Sequence, residues 1–192
     1  MQALRQSWIG ALGLALLALQ IAPDAQALTI EYSNARYVDK HYEFELTALI
    51  DAPVDRVQAV LRDYEAYKQL DPRILEARVV ERPEPYSAIL QTTLHVCFGP
   101  FCRNVRRLER VEEAPLQLSA TTDPAHSDVK FGETRMKLSV SDGKTRVSYQ
   151  TSIVPGFWIP PFTGRRWLLK TLADGTIDLF RQVERKARSD EQ

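Results

Sequence analysis

The sequence predicts an α+β fold: a curved, seven-stranded antiparallel sheet with two short helices after strand 1 and a long C-terminal helix across the concave face. The segment 160–188 is the one long helical pattern, because its apolar residues recur at intervals of three to five. The segment 74–154 instead alternates in short runs separated by turn signals, as an antiparallel meander does. The helix must bury its apolar side against another element. An antiparallel sheet curves because it twists, and its concave face can cover that side of the helix.

Composition limits the classes of protein to consider. The chain has 192 residues, of which 44% are hydrophobic and 26% charged, and this is enough for one domain with a sizeable core. Lys and Arg together number 25, as do Asp and Glu, so no nucleic-acid partner is expected. The arginine-rich run 103–110 is closely accompanied by Glu109, Glu112 and Glu113. It is predicted to be a solvated strand face, with an anion site as the alternative.

The N-terminus differs from the rest of the chain. An apolar run at 8–22 is followed by Ala-Gln-Ala at 25–27, the small-x-small pattern that signal peptidases accept. We therefore predict a secretory signal peptide over residues 1–27, one domain over 28–189, and a secreted, periplasmic protein. The alternative is an uncleaved anchor, but the run is shorter than the roughly 20 apolar residues of a spanning helix, and Pro23 interrupts it.

The predicted domain begins with a strand and two short helices. Residues 41–50 alternate between apolar and polar side chains, which indicates a half-buried strand. Pro53 stands where a first helical residue belongs, and the helix that follows it is predicted to end near Asp63. A second short helix or turn ends at Asp71, because the residue before Pro72 is pushed out of the helical region.

Six further strands are predicted before the long helix. The breaks between them contain proline or glycine, and Asp142-Gly143 is the clearest hairpin signal. The predicted strands are Ile74–Glu81, Tyr86–Cys97, Cys102–Glu112, Leu116–Thr122, Val129–Val140 and Thr145–Val154.

The two cysteines flank one of these breaks. Cys97 and Cys102 stand on either side of Gly99-Pro100, so they face each other across the neck of a hairpin, and an oxidising compartment would join them in a disulfide. A redox-active pair is the alternative, although such pairs usually have two intervening residues at a helix start. No metal site is expected, because no ligand spacing links the cysteines to the scattered His41, His95 and His126.

Three segments carry a resemblance to a known superfamily. In the first, an Ala-Pro at 52–53 starts a helix, an Asp-Tyr at 63–64 ends it, and Pro72 closes the region. The second is the late-strand region 123–143. The third is the Pro-Gly-Phe-Trp-Ile-Pro sequence at 155–160, which precedes the long helix.

Over residues 37–185 the chain thus resembles the START-like, or SRPBCC, helix-grip superfamily, which includes polyketide cyclases and coenzyme-Q-binding START-like proteins. The resemblance implies a cavity between the sheet and the terminal helix that holds a hydrophobic ligand. It supplies no catalytic residues to carry over, because members that do chemistry place different polar groups in the cavity. The predicted signal peptide and the cysteine pair depart from many relatives, and they argue against ubiquinone-linked or ribosome-linked roles.

Strand alternation and the helical stripe predict which residues line such a cavity. An apolar lining with a few polar groups is what a site for a hydrophobic ligand requires. The alternative is that these side chains fill the core completely. The predicted ligand-binding residues are Leu90, Thr92, Leu94, Met136, Tyr149, Thr151, Trp158, Leu168, Leu172 and Phe180.

The sequence favours binding over catalysis. No Gly-x-Ser-x-Gly, His-Glu-x-x-His or phosphate-cradling glycine loop is present, and neither a catalytic residue nor a cofactor is assigned. Tyr149 is interpreted as a packed ring with a satisfied hydroxyl. The predicted function is non-catalytic binding or transport of a hydrophobic, lipid-like ligand. The alternatives are a cyclase or dehydratase in which Tyr149 is the acid or base, and an interaction module with a filled cavity.

The residues 155–167 form an aromatic, proline-rich segment that we call the entrance segment. Its Phe157, Trp158 and Trp167 could contact a membrane, with Arg165 and Arg166 meeting anionic head groups. A mobile cavity mouth and a rigid corner packed on the core are the alternatives. Further along the helix, Gly175 makes the helix less stable than alanine would. The close approach of a ligand or of the sheet would explain why a glycine stands there.

Overall fold

The computed structural model describes residues 28–98, 101–161 and 163–189. The predicted signal peptide at 1–27 lies outside the described residues, as does Phe162 of the entrance segment. The strands are β1 (Thr29–Val38), β2 (His41–Ile50), β3 (Ile74–Glu81), β4 (Ser87–Phe98), β5 (Phe101–Ala114), β6 (Gln117–Thr122), β7 (Val129–Ser141) and β8 (Lys144–Pro155). The helices are α1 (Val54–Arg62), α2 (Tyr67–Leu70) and α3 (Thr163–Ser189).

The strands form one antiparallel sheet in the order β1-β2-β8-β7-β6-β5-β4-β3. This is the predicted α+β helix-grip architecture, in which a long C-terminal helix covers a large antiparallel sheet. Helix α3 contacts α1 and the strands β1, β2 and β4. The meander from β3 to β8 follows chain order, while β2 joins it through β8.

Within the described residues the sheet has eight strands, so the prediction of seven is wrong by one. The additional strand is β1, and the two short helices follow β2 rather than the first strand. Strand β1 was missed because most of its residues are exposed on both faces, which leaves no alternation to detect. Its turn to β2 also lacks the glycine signal, although Asp39 and Lys40 both adopt positive φ angles of 49° and 71°.

The helical segment between β2 and β3 follows the sequence signals. Pro53 precedes α1 in an extended conformation, and the helix buries Val57, Val60 and Leu61 against the sheet side of the core. A short 3-10 turn at Tyr64–Ala66 separates α1 from α2. The chain leaves α2 at Asp71, as the following proline predicts.

The core lies between the concave face of the sheet and α3. Strand β2 alternates strictly, with every second residue buried. The C-terminal half of α3 buries Phe180, Val183 and Ala187 in the main apolar cluster. Leu168, near the start of α3, belongs to a second cluster with Tyr42. The two clusters lie at different positions along the same helix.

The predicted disulfide is present. Cys97 and Cys102 are directly opposite each other in the β4–β5 hairpin, with an S–S distance of 2.06 Å. Among the described helices, none is both long enough and apolar enough to cross a bilayer.

Candidate functional site

A cavity of about 280 Å³ lies between the sheet and α3. Inward-facing residues of β4 to β8 form one wall, and α3 residues between Leu168 and Leu179 form the other. The helical segment contributes Leu61, Tyr64 and Tyr67. The volume is near the lower end of the ~300–1,000 Å³ typical of small-molecule sites. One small ring system or one hydrocarbon chain is therefore the size of ligand that fits.

The structure brings most of the predicted ligand-binding residues to this cavity. Those that line it are Leu90, Thr92, Leu94, Met136, Tyr149, Leu168 and Leu172. They share one face of each strand because alternate side chains point to the same side of a sheet. The helical members lie four apart, on one side of α3.

The other three predicted residues have different surroundings. Thr151 is buried beside the cavity, where its hydroxyl lies 2.9 Å from the Thr134 hydroxyl and donates to the Glu133 carbonyl oxygen at 3.1 Å. Phe180 is fully buried in the core, and its ring packs against that of Tyr149 with 5.6 Å between centroids. Trp158 is 74% exposed.

The sequence reasoning missed a charged pair in the cavity lining. Arg107 and Glu109 of β5 both line the cavity, and the Arg107 Nη2 donates to Glu109 Oε1. The solvated face predicted for the run 103–110 holds for the exposed Arg106 and Arg110, but it is wrong for Arg107 and Glu109. Alternation was the available signal, because these two residues fall between the buried Val105 and Val111 on the same strand face.

The Arg107 guanidinium has hydrogen-bonding capacity left over. Its Nε is buried, and no described residue accepts a hydrogen bond from it. Opposite this group the sheet has Gly132, where a Cβ would lie only 2.2 Å from Thr122 Oγ1 and 3.5 Å from Arg107 Nη2. A side chain at 132 would displace the Thr122 hydroxyl, so the glycine leaves room for that threonine, while the distance to Arg107 is an ordinary van der Waals contact. Buried donors of this kind normally have a partner.

Three tyrosines line the cavity. Tyr64 donates its hydroxyl to Glu113 Oε1 at 2.8 Å, and the other two are Tyr149 and Tyr67. Burial raises the pKa of Tyr149, while the hydroxyls of Thr151, Thr134 and Thr176 and the charge of Arg107 oppose that rise. Burial is likewise the main reason why the pKa of Tyr67 is raised, and the Glu109 carboxylate adds to it. The Tyr67 hydroxyl donates to the Leu61 carbonyl oxygen at 2.6 Å. Both phenols are therefore protonated donors at neutral pH.

These raised pKa values predict a loss of stability at alkaline pH. Because the folded chain holds the two tyrosine protons more tightly, the unfolded chain loses its protons first above about pH 10. The contribution of these two groups to the free energy of unfolding is therefore full below about pH 10 and is lost as the pH rises above it. Urea unfolding between about pH 8 and 11 should show this fall, and Tyr149→Phe should make it shallower. Tyr86→Phe is the control, because Tyr86 is 72% exposed; an equal change in both variants would contradict the assignment.

The side chain that approaches Gly175 closely is that of Arg73. A Cβ at Gly175 would lie 2.3 Å from both Nη atoms of Arg73. The guanidinium is held there by Asp71, with Nε 2.9 Å from Oδ1. The close neighbour is thus a side chain from the turn before β3 and not the sheet. Gly175 also lines the cavity, so the approach of a ligand at this glycine stays a prediction.

The described part of the entrance segment packs on several neighbours. The Arg103 guanidinium lies 4.2 Å from the centre of the Phe157 ring. Arg165 covers the ring of Tyr37 at 4.0 Å, so its charge faces an aromatic ring. Gly164 packs closely against Pro160, since a Cβ at position 164 would be 2.7 Å from Pro160 Cδ. Trp158, beside these contacts, presents its indole to solvent.

One cluster of metal-ligand atoms is found among the described residues. The ligand atoms of His95, Cys97 and Cys102 lie within 4.8 Å of one another. The two sulfurs are joined in the disulfide, and a metal binds thiolates. The cluster is therefore not assigned as a metal centre.

Comparison with solved structures places the fold among known proteins. A protein from Thermus thermophilus is 22% identical, with a TM-score of 0.67, and the match covers 78% of this chain and 99% of that one. The Zhui aromatase/cyclase from Streptomyces sp. R1128 is 15% identical with a TM-score of 0.66, over 79% and 96% of the two chains. The STAR-related lipid transfer protein from Xanthomonas axonopodis is 18% identical with a TM-score of 0.63, over 87% and 97%. At these identities the likeness shows the fold.

Sequence comparison supplies the family. No curated protein matches this chain significantly. The family model described as polyketide cyclase / dehydrase and lipid transport matches residues 41–183, which is well over half of the chain. The match runs from the start of β2 to the last turns of α3 and includes every strand that lines the cavity. The protein therefore belongs to the polyketide cyclase / dehydrase and lipid transport family.

Proposed function

We propose that this protein binds one hydrophobic, lipid-like molecule in the cavity under α3 and carries it without changing it. The observation that supports this most directly is an apolar cavity of about 280 Å³ with few polar groups in its lining. Burying several hundred Å² of apolar ligand surface at roughly 25 cal/mol per Å² contributes several kcal/mol. After the costs of association, that is enough for micromolar affinity.

The polar end of the ligand is proposed to lie at Arg107. The guanidinium combines a charge with a buried Nε donor that no described residue uses. An oxygen acceptor on the ligand, such as a carbonyl, hydroxyl or carboxylate group, would satisfy it. The neighbouring Tyr149 hydroxyl lines the same cavity and can donate a second hydrogen bond. The apolar lining would then hold the hydrocarbon part of the ligand.

An enzyme of the cyclase or dehydratase kind is the second candidate, and the family includes such enzymes. Tyr149 is the residue that favours it, because its hydroxyl lines the cavity near three threonine hydroxyls. Burial raises the pKa of this phenol, so at neutral pH it would act as a hydrogen-bond donor and not as a base. This property argues against Tyr149 as a general base, whereas a protonated phenol is the form that a general acid requires. The volume of the cavity argues against the interaction module with a filled core.

Ligand extraction tests the proposal. The purified protein is extracted and the extract analysed by lipid mass spectrometry, and the delipidated protein is titrated with an environment-sensitive fluorescent fatty acid. Ala120→Trp, whose side chain would occupy the cavity, is expected to weaken uptake at least about tenfold. Val140→Trp is the matched control, because Val140 is 65% exposed on the same sheet.

Three results would separate the candidates. A reproducible co-purified lipid that is recovered unchanged supports carriage. No co-purified lipid, together with no uptake of the fatty acid by the delipidated protein, contradicts it. Recovery of a chemically altered ligand with the wild-type protein but an unaltered one with Tyr149→Phe would establish the enzyme instead.

We also propose that the protein works outside the cytoplasm and contacts membranes through the entrance segment. The disulfide between Cys97 and Cys102 is typical of an oxidising compartment. Trp158 is 74% exposed and Trp167 is 39% exposed, and indole rings are suited to a membrane interface. Phe157, which contacts Arg103, lines the cavity beside them.

Vesicle binding tests the membrane contact. Sedimentation with vesicles of phosphatidylcholine and phosphatidylglycerol should retain the wild-type protein and lose most of Trp158→Ala. Tyr86→Ala is the control, since Tyr86 is equally exposed but lies outside the entrance segment. Equal loss in both variants, or no sedimentation of the wild-type protein, would refute this contact.

A further inference from the structure

Glu184 is a buried carboxylate at the point where the beginning and the end of the described chain meet. It lies on α3 and is only 4% exposed. Its Oε1 accepts a hydrogen bond from the backbone N–H of Asp51 at 2.8 Å, and its Oε2 accepts one from the backbone N–H of Leu28, also at 2.8 Å. Both donors are neutral peptide groups.

Two cations near Glu184 form ion pairs with Asp51. Lys144 Nζ lies 3.1 Å from Asp51 Oδ1, and Arg188 Nη1 lies 3.6 Å from Asp51 Oδ2. Burying a carboxylate is costly unless a positive charge accompanies it. Two amide hydrogen bonds satisfy the oxygens of Glu184 but do not balance its charge.

Leu28 is also the residue at which the sequence predicts the processed chain to begin. The small-x-small pattern occupies residues 25–27 and places the scissile bond between Ala27 and Leu28. Hydrolysis of that bond adds one water molecule. The C–N bond breaks, the carbonyl carbon of Ala27 takes the oxygen of water and becomes a carboxylate, and the nitrogen of Leu28 becomes an amine, which is an ammonium group at neutral pH.

We propose that removal of residues 1–27 converts the Leu28 nitrogen into an ammonium group that forms a buried ion pair with Glu184. The nitrogen already lies 2.8 Å from Oε2, so the ion pair needs no movement of either residue. The side chain of Leu28 is buried in the main apolar cluster, 7% exposed, which holds the nitrogen in place. Replacing a neutral donor with a charged one strengthens the hydrogen bond and supplies the missing charge.

With this ion pair, the attachment of one cavity wall to the sheet would depend on whether residues 1–27 have been removed. Helix α3 carries Glu184 and also forms one wall of the cavity. Leu28 directly precedes β1, one of the two edge strands of the sheet. Processing would thus strengthen the attachment of the cavity wall to the sheet, which in the unprocessed chain is a hydrogen bond from a neutral amide. The inference concerns maturation and is independent of which ligand the cavity binds.

The first test is the N-terminus itself. The full chain is expressed in a bacterium with a periplasm, and the exported protein is examined by N-terminal sequencing and intact mass. Leu28 is expected as the first residue. A different first residue, or a chain that keeps residues 1–27, would overturn the proposal.

The second test compares chains that differ by one residue. Protease cleavage of a fusion yields either a chain that starts at Leu28 or one that starts at Ala27, in which the Leu28 nitrogen remains an amide. The Leu28 chain is expected to have a Tm higher by roughly 3–8 °C. Its α-amine should react with formaldehyde and cyanoborohydride at least about tenfold more slowly than that of the Ala27 chain, because a buried, paired amine is protected.

A double-mutant cycle assigns the effect to Glu184. In Glu184→Gln the Tm difference between the two chains should shrink to near zero, whereas in Glu65→Gln, at an exposed position, it should persist. If Glu184→Gln does not fold, the labelling rates of the two wild-type chains decide the matter alone. Equal Tm values, or equal labelling rates, for the Leu28 and Ala27 chains would overturn the proposal.

Discussion

Replacement of Phe180 with alanine is expected to lower the free energy of unfolding by about 3–5 kcal/mol. Phe180 is fully buried on α3, and its ring packs nearly perpendicular to that of Tyr149, at an interplanar angle of 77°. Removing the ring forfeits its burial and leaves a void that the rigid sheet cannot close. Urea denaturation measures the effect as a lower midpoint at an unchanged slope.

The matched control for Phe180 is another phenylalanine. Phe101 is 63% exposed at the start of β5, so Phe101→Ala should change the free energy of unfolding by no more than about 0.5 kcal/mol. A loss below about 1 kcal/mol in Phe180→Ala would mean that the helix moves inward to fill the space. That result would contradict the packing described for α3.

The charged pair in the cavity should produce the second large effect. We expect Arg107→Met and Glu109→Leu each to lower the free energy of unfolding by about 2–4 kcal/mol, because each leaves the other charge buried without its partner. The double variant should be less destabilised than the sum of the two. Urea denaturation of the four proteins gives the coupling directly. Only 9% of the Glu109 side chain and 21% of the Arg107 side chain are exposed, and this is why a measurable coupling is expected.

The opposite face of β5 provides the control for this cycle. Arg106 and Glu112 are exposed on that face, so Arg106→Met and Glu112→Leu should each have small effects that add. Additive effects of the Arg107 and Glu109 substitutions would show that the two side chains do not act as a pair. The Arg107→Met variant should also lose affinity for any ligand whose polar end is recognised, while keeping its apolar cavity.

Most of the architecture could be predicted because it follows from periodicity. Strand β2 and the inward residues of β4 were predicted correctly, since their alternation of apolar and polar side chains is regular. The long helix was found from its apolar stripe. Strand β1 could not be found this way, because an edge strand exposed on both faces has no reason to alternate.

The candidate site was predictable only in part, for a different physical reason. The helical stripe shows that Leu172 and Phe180 face the sheet, but it cannot show where the sheet curves away and leaves space. Phe180 fills the core, and Leu172 borders the cavity. The sequence analysis interprets Glu109 as one of the charges that balance Arg107 on a solvated face, because charged residues are rarely buried unless paired. The two side chains instead pair with each other inside the cavity.

The position of β2 determines the order in which the sheet can be completed. Its partners are β1 and β8, and the hydrogen bond between His41 and Ser152 spans 111 residues. Until β8 has emerged, one edge of β2 has no strand to pair with, and contacts so distant in sequence form slowly. The first half of the chain therefore cannot complete the sheet alone. The sheet closes only after its last strand arrives, and the export proposed for this chain would gain time from that order.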